Sequence, residues 1–302
     1  MAVALPLTQQ TPEFHEPLLA WYRTSARSIL WRHSATSAWG ILVSEVMSQQ
    51  TQVHRVEPLW QAWMHKWPTP LALSNAPKAE ILQAWANLGY PRRALRLQEC
   101  AEAIVTRHGG VVPHDVEQLL ALPGIGDYTA SAVAAFAFHQ RVPVIDTNVR
   151  RVLTRVLKGK KLVASQHTTQ ADRRSLLALL PTTDAHLVSV AIMELGALVC
   201  TSSPQCEHCP IRPVCLWQAL GAPEPTALEQ QRATKRSQPF AGTNRQVRGA
   251  IMALLRSSSQ PVDPAECYTL GFPEQQVAAC ILSLLDDGLA AHTDGFLHLP
   301  RE

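Results

Sequence analysis

The sequence has few charged residues and lacks any long uninterrupted apolar run. Charged residues make up 17% of its 302 residues and hydrophobic residues make up 46%, a composition that is typical of a globular protein and excludes a disordered one. No stretch reaches the roughly 18 apolar residues that a membrane-spanning helix needs. The N-terminal segment MAVALPLTQQTPEFHE also lacks the basic residues and the apolar run of a signal peptide. We therefore expect a cytoplasmic protein without a membrane partner.

The chain also carries little net charge. A formal charge of +3 is only a weak indication of a polyanionic partner. The basic residues are grouped, as in YPRRALR and NVRRVLTR, but a solvated helix face explains each run taken alone. Charge therefore identifies no partner by itself, although the chain is long enough for two or three compact units.

Cysteine is sparse and unevenly distributed. The segment CTSSPQCEHCPIRPVC holds four of the seven cysteines, namely Cys200, Cys206, Cys209 and Cys215. Because cytoplasmic thiols stay reduced, clustered cysteines there usually bind metal, and disulfides are the least expected reading. A zinc ion and an iron–sulfur cluster remain as alternatives, although one C-x₂-C pair between longer gaps differs from two-pair zinc ribbons and from the bacterial ferredoxin run. Cys100, Cys267 and Cys280 lie in helical patterns and are expected to be buried.

Apolar residues recur every three or four positions along most of the chain. Between about Pro17 and Trp217, segments such as GILVSEVMSQQ, KAEILQAWANLG and RALRLQECAEAIVTRHGG predict a succession of helices joined by short turns. The pair Gly109 and Gly110, directly after His108, predicts the end of a long helix. VPVID is the one segment that indicates an extended conformation. The chain is therefore predicted to be mainly α-helical.

The composition changes near residue 222. Residues 222–245 are polar, lack periodicity and contain two early prolines, which predicts a linker. Beyond it, RQVRGAIMALLRSS and FPEQQVAACILSLLDDG predict two amphipathic helices, and LAAHTDGFLHLP contains an Asp-Gly turn. Helices followed by a short hairpin indicate a small winged-helix-like unit.

The segment LLALPGIGDYTASAVAAFAF predicts two helices joined by a tight hairpin, with the second helix beginning near Asp127. We expect its glycines to allow positive φ and to let another backbone approach. The backbone groups that could receive a DNA phosphate are those of Leu122, Gly124, Ile125 and Gly126. An ordinary connection between helices would explain PGxG alone, but the two flanking apolar helices favour a helix–hairpin–helix element that binds DNA.

Two carboxylates occupy positions that suit acid–base chemistry. Glu45 lies between Val43 and Val46 on an otherwise apolar helix, where burial would raise its pKa and make it a general acid; a solvent-facing glutamate is the alternative. Asp146 precedes a predicted helix and could simply cap it, and Asn148 could orient a water or the carboxylate. A glutamic acid and an aspartate together can cleave a glycosidic bond through an oxocarbenium-like transition state. Together with the hairpin, they predict action on a nucleotide in DNA.

Five motifs in order, SEVMSQQTQV, LGYPRRA, LPGIGDYTA, VIDTNVRRVL and MELGALVC…CEHCPIRPVC, resemble those of the helix–hairpin–helix DNA glycosylases. The resemblance covers about residues 17–218 and is closest to the adenine DNA glycosylases of the MutY type found in actinobacteria. It implies one 4Fe–4S cluster with a structural role, held by the four clustered cysteines, with zinc as the second choice. The first loop between these cysteines, TSSPQ, is one residue shorter than is usual in the family.

The resemblance also implies catalytic roles. Glu45 matches the acid that protonates adenine N7, and Asp146 matches the carboxylate that stabilises the oxocarbenium ion, with Asn148 beside it. Tyr128 stands where endonucleases of the endonuclease III type carry a catalytic lysine. Without an amine at that position no Schiff base can form, which implies a monofunctional glycosylase.

Substrate-binding residues are implied in the same way. Arg27 and Arg32 match arginines near the adenine pocket. Gln50, Thr51 and Tyr90 match residues on the lesion side of the duplex, where a wedge beside the oxidised guanine offsets the cost of flipping the adenine. The sequence departs from the family at its end, because a short tail replaces the larger NUDIX-like domain of many members.

We therefore expect a mainly α, two-lobed helix–hairpin–helix DNA glycosylase fold with an iron–sulfur cluster domain and a small C-terminal winged-helix-like unit. The expected domains are a helical barrel over 27–140, a cluster domain over 1–26 and 141–221, a linker over 222–245 and the winged-helix-like unit over 246–302. The expected activity is hydrolysis of the N-glycosidic bond of adenine mispaired with 8-oxoguanine or guanine in double-stranded DNA, by a monomer that joins the nucleoid when acting on DNA. Two alternatives stay open: an endonuclease III-type pyrimidine-damage glycosylase with lyase activity, and a non-catalytic iron–sulfur DNA-binding regulator.

Overall fold

The computed structural model describes residues 11–164, 167–233 and 240–301. The first ten residues and residues 234–239 of the predicted linker lie outside this range. Within the described residues the chain is mainly α-helical, as predicted, and no helix is both long enough and apolar enough to cross a membrane. The helices and strands are α1 (Thr11–Ser25), α2 (Ala38–Ser48), α3 (Val53–Lys66), α4 (Pro70–Ser74), α5 (Lys78–Trp85), α6 (Arg92–His108), α7 (Val116–Leu120), α8 (Asp127–Phe138), α9 (Thr147–Lys158), α10 (Gln170–Leu179), α11 (Ala185–Leu198), α12 (Leu216–Ala219), α13 (Ala227–Ala233), α14 (Asn244–Ser257), α15 (Pro264–Tyr268), α16 (Glu274–Asp286), β1 (Ala291–Thr293) and β2 (Phe296–His298).

The chain divides into two compact units. As far as they are described, the first comprises Met1–Arg32, His114–Val116 and Gly126–Arg236, and the second comprises His33–Pro113, Glu117–Ile125 and Ser237–Glu302. Helix α8 thus groups with the first unit, although the sequence predicts a boundary at residue 140. The C-terminal helices group with the second unit. The predicted domain scheme stays a prediction.

The core of the first unit forms around α9 and α11. Helix α11 packs against α1 and α9, and α12 packs against α9. Val149, Val152 and Val156 lie on the inner face of α9 at helical spacing, and all three are buried. Helix α10 begins with a capping box in which Thr169 and Asp172 bind each other's backbone amides. This packing fixes the N-terminal end of α9, which Asp146 precedes.

Buried tryptophans organise the second unit. Helix α6 packs against α2, α4 and α5, and α3 packs against α2 and α5. The indole N–H groups of four of these tryptophans donate to backbone carbonyls, so that the apolar ring is buried while its polar atom is hydrogen-bonded. The pairs are Trp39 with Trp67 (3.1 Å), Trp60 with Gly40 (2.8 Å), Trp63 with Ala84 (3.0 Å) and Trp85 with Gly89 (3.0 Å).

The C-terminal segment has three helices and a hairpin. Helix α14 packs against α16, and β1 pairs antiparallel with β2 in a register that places Thr293 opposite Phe296. Asp294 and Gly295 form the two-residue turn with positive φ, which is the turn chemistry that the sequence predicts. An isolated bridge joins Val262 to β2. Helices followed by a hairpin are therefore confirmed, whereas the winged-helix likeness stays a prediction.

Several local predictions can be compared with the structure. Helix α6 ends at His108 with Gly109 as a left-handed cap, as predicted. Helix α1 begins at Thr11 and continues through Pro17, which was expected near its start. The VPVID segment forms no strand, because no neighbouring strand is available to pair with it among the described residues. Helix α13 lies inside the predicted linker and begins after Thr226, whose hydroxyl accepts from the Glu229 amide.

Candidate active site

Asp146 is fixed at the start of α9 by hydrogen bonds to both carboxylate oxygens. Its Oδ1 accepts from the Val149 amide at 2.7 Å, so Asp146 caps the helix as its position in the sequence suggests. Its Oδ2 accepts from Asn148 Nδ2 at 3.0 Å. Asn148 Oδ1 in turn accepts from Arg151 Nη2 at 2.7 Å. We call Asp146, Asn148 and Arg151 the Asp146 network.

Arg151 ties this network to the neighbouring helix. Its Nη2 also donates to the carbonyl of Gly196 at 2.6 Å, and its Nε donates to the carbonyl of Cys200 at 2.7 Å. Gly196 must be small here, because a Cβ at this position would lie 2.8 Å from Asn148 Cβ and 3.0 Å from the Asn148 carbonyl oxygen. The close approach of α11 to the start of α9 therefore positions the Asn148 amide.

Burial and hydrogen bonding act in opposite directions on Asp146. Burial raises the pKa of its carboxyl above the ordinary value of 3.8, while the amides of Val149 and Asn148 and the charge of Arg151 oppose the rise. Burial also lowers the pKa of Arg151, which the negative charge of Asp146 partly offsets. The result is a half-buried carboxylate whose orientation is set by its hydrogen-bond partners and whose pKa is set by opposing effects.

Arg27 and Arg32 both bind one buried carboxylate. Arg27 Nε donates to Glu194 Oε1 at 2.7 Å and Arg27 Nη2 donates to Oε2 at 3.0 Å, while Arg32 Nη2 donates to Oε2 at 2.8 Å. Glu194 is fully buried. Burial alone would raise its pKa, but the hydrogen bonds of Arg27 and the charge of Arg32 lower it to about 2. The structure thus places both arginines on Glu194, and their contact with adenine stays a prediction.

Tyr128 lines a cavity of about 260 Å³ in the first unit. Ser131, Ile145 and Arg173 line the same cavity, and Arg173 Nη2 donates to Asp127 at 2.9 Å on its border. Ile145 directly precedes Asp146 in the chain. The phenol is half-buried beside this space, and together with Asp127 it represents the first turn of α8 in the lining of the cavity.

The four clustered cysteines line one small apolar cavity together with Ile211 and Trp217. The fully buried Arg155 donates from Nη1 to Cys200 Sγ at 3.2 Å, and its guanidinium lies 5.4 Å from the centre of the Trp217 ring. Burial raises the pKa of Cys209 to about 12, and neighbouring thiols add to the rise. All seven cysteines are free thiols, and Cys100, Cys267 and Cys280 are buried as predicted.

The clustered cysteines are also the candidate metal ligands of the sequence. In the part of the chain that the structure describes, no three His, Cys, Asp or Glu side chains converge closely enough to hold a metal ion.

Glu45 lies on α2 in the second unit. Ser37 caps this helix, and residues 39–47 are all buried. Glu45 itself is only 8% exposed, so the alternative of a solvent-facing glutamate is wrong. The burial of Glu45 on a largely apolar helix is what the sequence predicts for it.

The turn after α2 brings Gln50 and Thr51 close to the loop that carries Tyr90. Thr51 Oγ1 donates to the carbonyl of Leu88 at 3.4 Å. Gln50 and Tyr90 both have positive φ, +56° and +48°, which is costly for residues with a side chain. Tyr90 is 44% exposed. An exposed aromatic ring next to a polar turn fits the predicted wedge.

One guanidinium holds these two segments together. Arg93 donates to the carbonyls of Val46 (2.7 Å), Met47 (3.3 Å), Gln49 (2.9 Å), Leu88 (3.3 Å) and Gly89 (3.1 Å). Burial lowers the pKa of Arg93 to about 10, although Tyr90 opposes this change. We call Arg93 and these five carbonyl groups the Arg93 clamp. It joins the C-terminal turn of α2 to the loop before α6.

The helix–hairpin–helix prediction is confirmed by α7, the LPGIG hairpin and α8. Gly124 has φ +75° and a Cβ there would lie 3.0 Å from Arg96 Cβ, whereas Gly126 is an extended N-cap with φ −100° and open space around it. The prediction of positive φ is therefore confirmed for Gly124 and wrong for Gly126. Leu122 and Ile125 are buried, and their amides already donate within the turn. The amides of Gly124 and Gly126 make no backbone hydrogen bond to the described residues.

Sequence reasoning missed three residues of these arrangements, namely Glu194, Arg151 and Arg93. Glu194 carries the signal that identified Glu45, a carboxylate on an otherwise apolar helix, and could have been found by it. Arg93 and Arg151 lie inside the basic runs YPRRALR and NVRRVLTR, where nothing in the sequence distinguishes an arginine that binds backbone carbonyls from the other arginines of the run.

Comparison with known proteins identifies the family. Residues 43–178 match the HhH-GPD superfamily of base excision DNA repair proteins. The chain is 49% identical over 290 residues to the adenine DNA glycosylase of Mycolicibacterium smegmatis, covering 94% of this chain and 95% of that protein. It is 41% identical over 211 residues to the human adenine DNA glycosylase, covering 67% of this chain and 39% of that protein.

The fold agrees with this assignment. A solved thermostable thymine-DNA glycosylase matches with a TM-score of 0.63 and 25% identity, covering 70% of this chain and 98% of that chain. Because that protein is named for a different base, the fold alone does not identify the base that is removed. The base is identified by the sequence identity to adenine DNA glycosylases over nearly the whole chain. The chain belongs to the adenine DNA glycosylases, helix–hairpin–helix enzymes of base excision repair.

Proposed function

We propose that this chain removes adenine that is mispaired with 8-oxoguanine or guanine in double-stranded DNA and leaves an abasic site. The observation that carries the proposal is the Asp146 network. It holds a half-buried carboxylate in a fixed orientation through the Val149 amide and the Asn148 side chain, and a carboxylate held in this way can stabilise a developing positive charge.

The proposed reaction divides the work between two carboxyl groups. Glu45, buried on α2, acts as the general acid and protonates adenine N7, which makes the base a better leaving group. Asp146 stabilises the oxocarbenium ion that forms as the glycosidic bond breaks. Asn148 holds the Asp146 carboxylate through Nδ2. Water then adds to the sugar and completes the hydrolysis.

The enzyme is proposed to be monofunctional. Strand cleavage by a glycosylase with lyase activity needs an amine that attacks the sugar carbon. Tyr128 offers a phenol beside its cavity. A phenol cannot form a Schiff base, so the abasic site should persist until alkali cleaves it.

DNA binding is proposed to use the hairpin and the Arg93 clamp. The amides of Gly124 and Gly126 are the groups best placed to receive phosphate oxygens, because those of Leu122 and Ile125 are already occupied. Gln50, Thr51 and Tyr90 would meet the duplex on the lesion side, with Tyr90 as the wedge. Arg27 and Arg32 would line the adenine pocket from their positions on Glu194.

The four clustered cysteines are proposed to hold one 4Fe–4S cluster. Four thiols around an apolar cavity suit a cluster bound at its corners. They suit a single zinc ion less well, since its four ligands lie about 2.3 Å from one centre. The cluster would supply structure, fixing the segment from Cys200 to Cys215. We further propose a monomeric, cytoplasmic enzyme with a winged-helix-like C-terminal unit.

Single-turnover base release from three duplexes tests this function. The duplexes carry adenine opposite 8-oxoguanine, adenine opposite guanine, and thymine glycol opposite adenine, each assayed with and without alkali. We expect product from the first two only after alkali, with the 8-oxoguanine duplex faster. Alkali-independent nicking of the third would instead indicate a lyase of the endonuclease III type.

A variant test separates catalysis from binding. Glu45→Gln should lower the rate on the first duplex by about 10²–10⁴-fold while DNA affinity is retained. A wild-type rate in this variant would contradict the role of Glu45. A different result would favour the non-catalytic alternative. If the wild type, Glu45→Gln and Asp146→Asn all bind DNA and none of them releases a base, the chain is a DNA-binding regulator.

A further inference from the structure

The C-terminal segment contacts the exposed ring of Tyr90. Arg245, the second residue of α14, donates from Nη1 to the Tyr90 hydroxyl oxygen at 2.8 Å. Its guanidinium carbon lies 5.0 Å from the centre of the Tyr90 ring and 5.2 Å from the centre of the Phe240 ring. Tyr90 and Phe240 are both exposed. Arg245 thus joins two exposed aromatic side chains that lie far apart in the sequence.

A second ionic contact attaches the same segment beside Tyr90. Asp287, which follows α16, accepts from Arg92 Nη1 at 3.2 Å and from Arg248 Nη2 at 2.6 Å. Arg92 is the first residue of α6 and lies two positions after Tyr90. Arg248, on α14, also donates to Ser283 of α16, so one guanidinium holds both Asp287 and the end of α16. The C-terminal segment therefore contacts the Tyr90 loop at two points.

Tyr90 needs such support because its backbone conformation is unfavourable. Its φ of +48° is strained for a tyrosine. On one side the guanidinium of Arg93 lies 5.8 Å from the centre of its ring. Arg245 adds a second cation and the hydrogen bond to the hydroxyl. Contacts of this kind select one rotamer of an otherwise exposed ring.

We propose that Arg245 is a positioning residue that holds the Tyr90 wedge, so that the C-terminal unit contributes to the choice of the base opposite adenine. The inference rests on the proposed lesion-side role of Tyr90. In the proposed arrangement Arg245 contacts neither the adenine nor the carboxylates of Glu45 and Asp146. It acts through the ring, by keeping it in the orientation that enters the duplex.

A double-mutant cycle between Arg245 and Tyr90 tests this inference in the full-length protein. The measured quantity is the ratio of single-turnover rates for adenine opposite 8-oxoguanine and adenine opposite guanine. Arg245→Gln should lower this ratio by about two- to fivefold, the scale of one exposed cation–π contact. Arg245→Lys should lower it similarly, because an ammonium keeps the charge but not the planar fork. In a Tyr90→Ala background, Arg245→Gln should change the ratio no further.

Controls separate positioning from phosphate binding. Arg301→Gln removes an exposed charge elsewhere in the same segment and should leave the ratio unchanged. Phe240→Ala should reproduce part of the Arg245→Gln effect. If Arg245→Gln slows both duplexes equally, or adds to Tyr90→Ala, then Arg245 is only an electrostatic contact and the proposal is overturned. If Tyr90→Ala itself leaves the ratio unchanged, the proposed wedge fails, and with it any role of Arg245 that acts through Tyr90.

Discussion

The Asp146 network and the Arg93 clamp hold functional groups in different ways. In the network, a half-buried carboxylate accepts hydrogen bonds from one backbone amide and one side chain at the start of a helix, and Asn148 is itself bound by Arg151. In the clamp, one guanidinium binds five backbone carbonyls and thereby supports two residues with positive φ. The first arrangement fixes a charge, whereas the second fixes the path of the chain.

This difference suggests different consequences of substitution. A change in the Asp146 network should act on the chemical step, because it alters the charge or direction of a group proposed to face the transition state. A change in the Arg93 clamp should act on stability and on recognition of the opposite base, because Gln50, Thr51 and Tyr90 depend on it. The predictions below test whether the two sets of effects can be separated.

Asp146→Asn should produce the largest effect. Asparagine caps a helix about as well as aspartate, so the fold should be retained while the negative charge is lost. We expect single-turnover release of adenine to slow by about 10³-fold, with DNA affinity and thermal stability near wild type. Asp263→Asn, at the N-cap of α15, is the matched control and should leave the rate unchanged. A loss below tenfold in Asp146→Asn would exclude a charge-stabilising role.

Glu194→Gln should be the most destabilising change near the network. It removes a fully buried charge that binds Arg27 and Arg32, and breaking such a pair costs about 3 kcal/mol. The pKa of Glu194 is lowered to about 2 from an ordinary 4.5, so its ionised form stabilises the fold above pH 4.5. That stabilisation is lost as the pH falls from 4.5 towards 2.

Urea unfolding of the wild type and the variant at several pH values measures this effect. The difference in unfolding free energy between the wild type and Glu194→Gln should be at its maximum at pH 7 and should decrease below pH 4.5. Glu99→Gln breaks an exposed pair with Arg96 and should cost less than about 1 kcal/mol at either pH. A pH-independent difference would mean that Glu194 stabilises the fold by packing and not by its charge.

The sequence predicts the secondary structure of the candidate site better than its side-chain partners. The end of α6 at Gly109 and the start of α8 are predicted by local sequence, because a glycine or a tight turn determines the backbone conformation of the residues next to it. The partnership of Glu194 with Arg27 joins residues that are far apart in the chain and depends on tertiary packing. No periodicity contains that information, and only the apolar context of the glutamate indicates that it must have a partner.

The partners of Arg93 are likewise not predictable from the sequence. YPRRALR reads as a solvated basic run, yet Arg93 is largely engaged with carbonyls while Arg92 remains mostly exposed. The two arginines are adjacent in the sequence and differ only in the direction in which α6 points them. An exposed arginine and an arginine that binds backbone carbonyls are therefore indistinguishable in the sequence until the helix is placed.

Arg93→Lys should separate recognition from chemistry. A lysine keeps one positive charge but cannot reach several carbonyls in a planar fork, so we expect a loss of about 2 kcal/mol in unfolding free energy. The ratio of the rate on the 8-oxoguanine duplex to the rate on the guanine duplex should fall by a larger factor than the rate on the 8-oxoguanine duplex itself. Arg96→Lys, one turn further along α6 in an exposed ion pair, is the matched control. Equal loss of both rates would show that the clamp and the catalytic carboxyls are not separable.

Gly196→Ala should give the smallest effect and tests the link between α11 and the Asp146 network. The added methyl group would meet Asn148 Cβ at 2.8 Å and its carbonyl oxygen at 3.0 Å, and overpacking of this kind costs about 1–3 kcal/mol. Because Asn148 must shift to relieve the contact, adenine release should slow as well, while the rate ratio between the two duplexes stays constant. Gly249→Ala is the matched control, since no atom lies within 4 Å of the added carbon in α14 and replacement of a helix glycine should stabilise the protein by about 0.5–1 kcal/mol. A slower release at an unchanged ratio would place the effect on Asp146, the proposed charge-stabilising carboxylate, whereas a changed ratio would mean that strain at α11 reaches the residues proposed to select the opposite base.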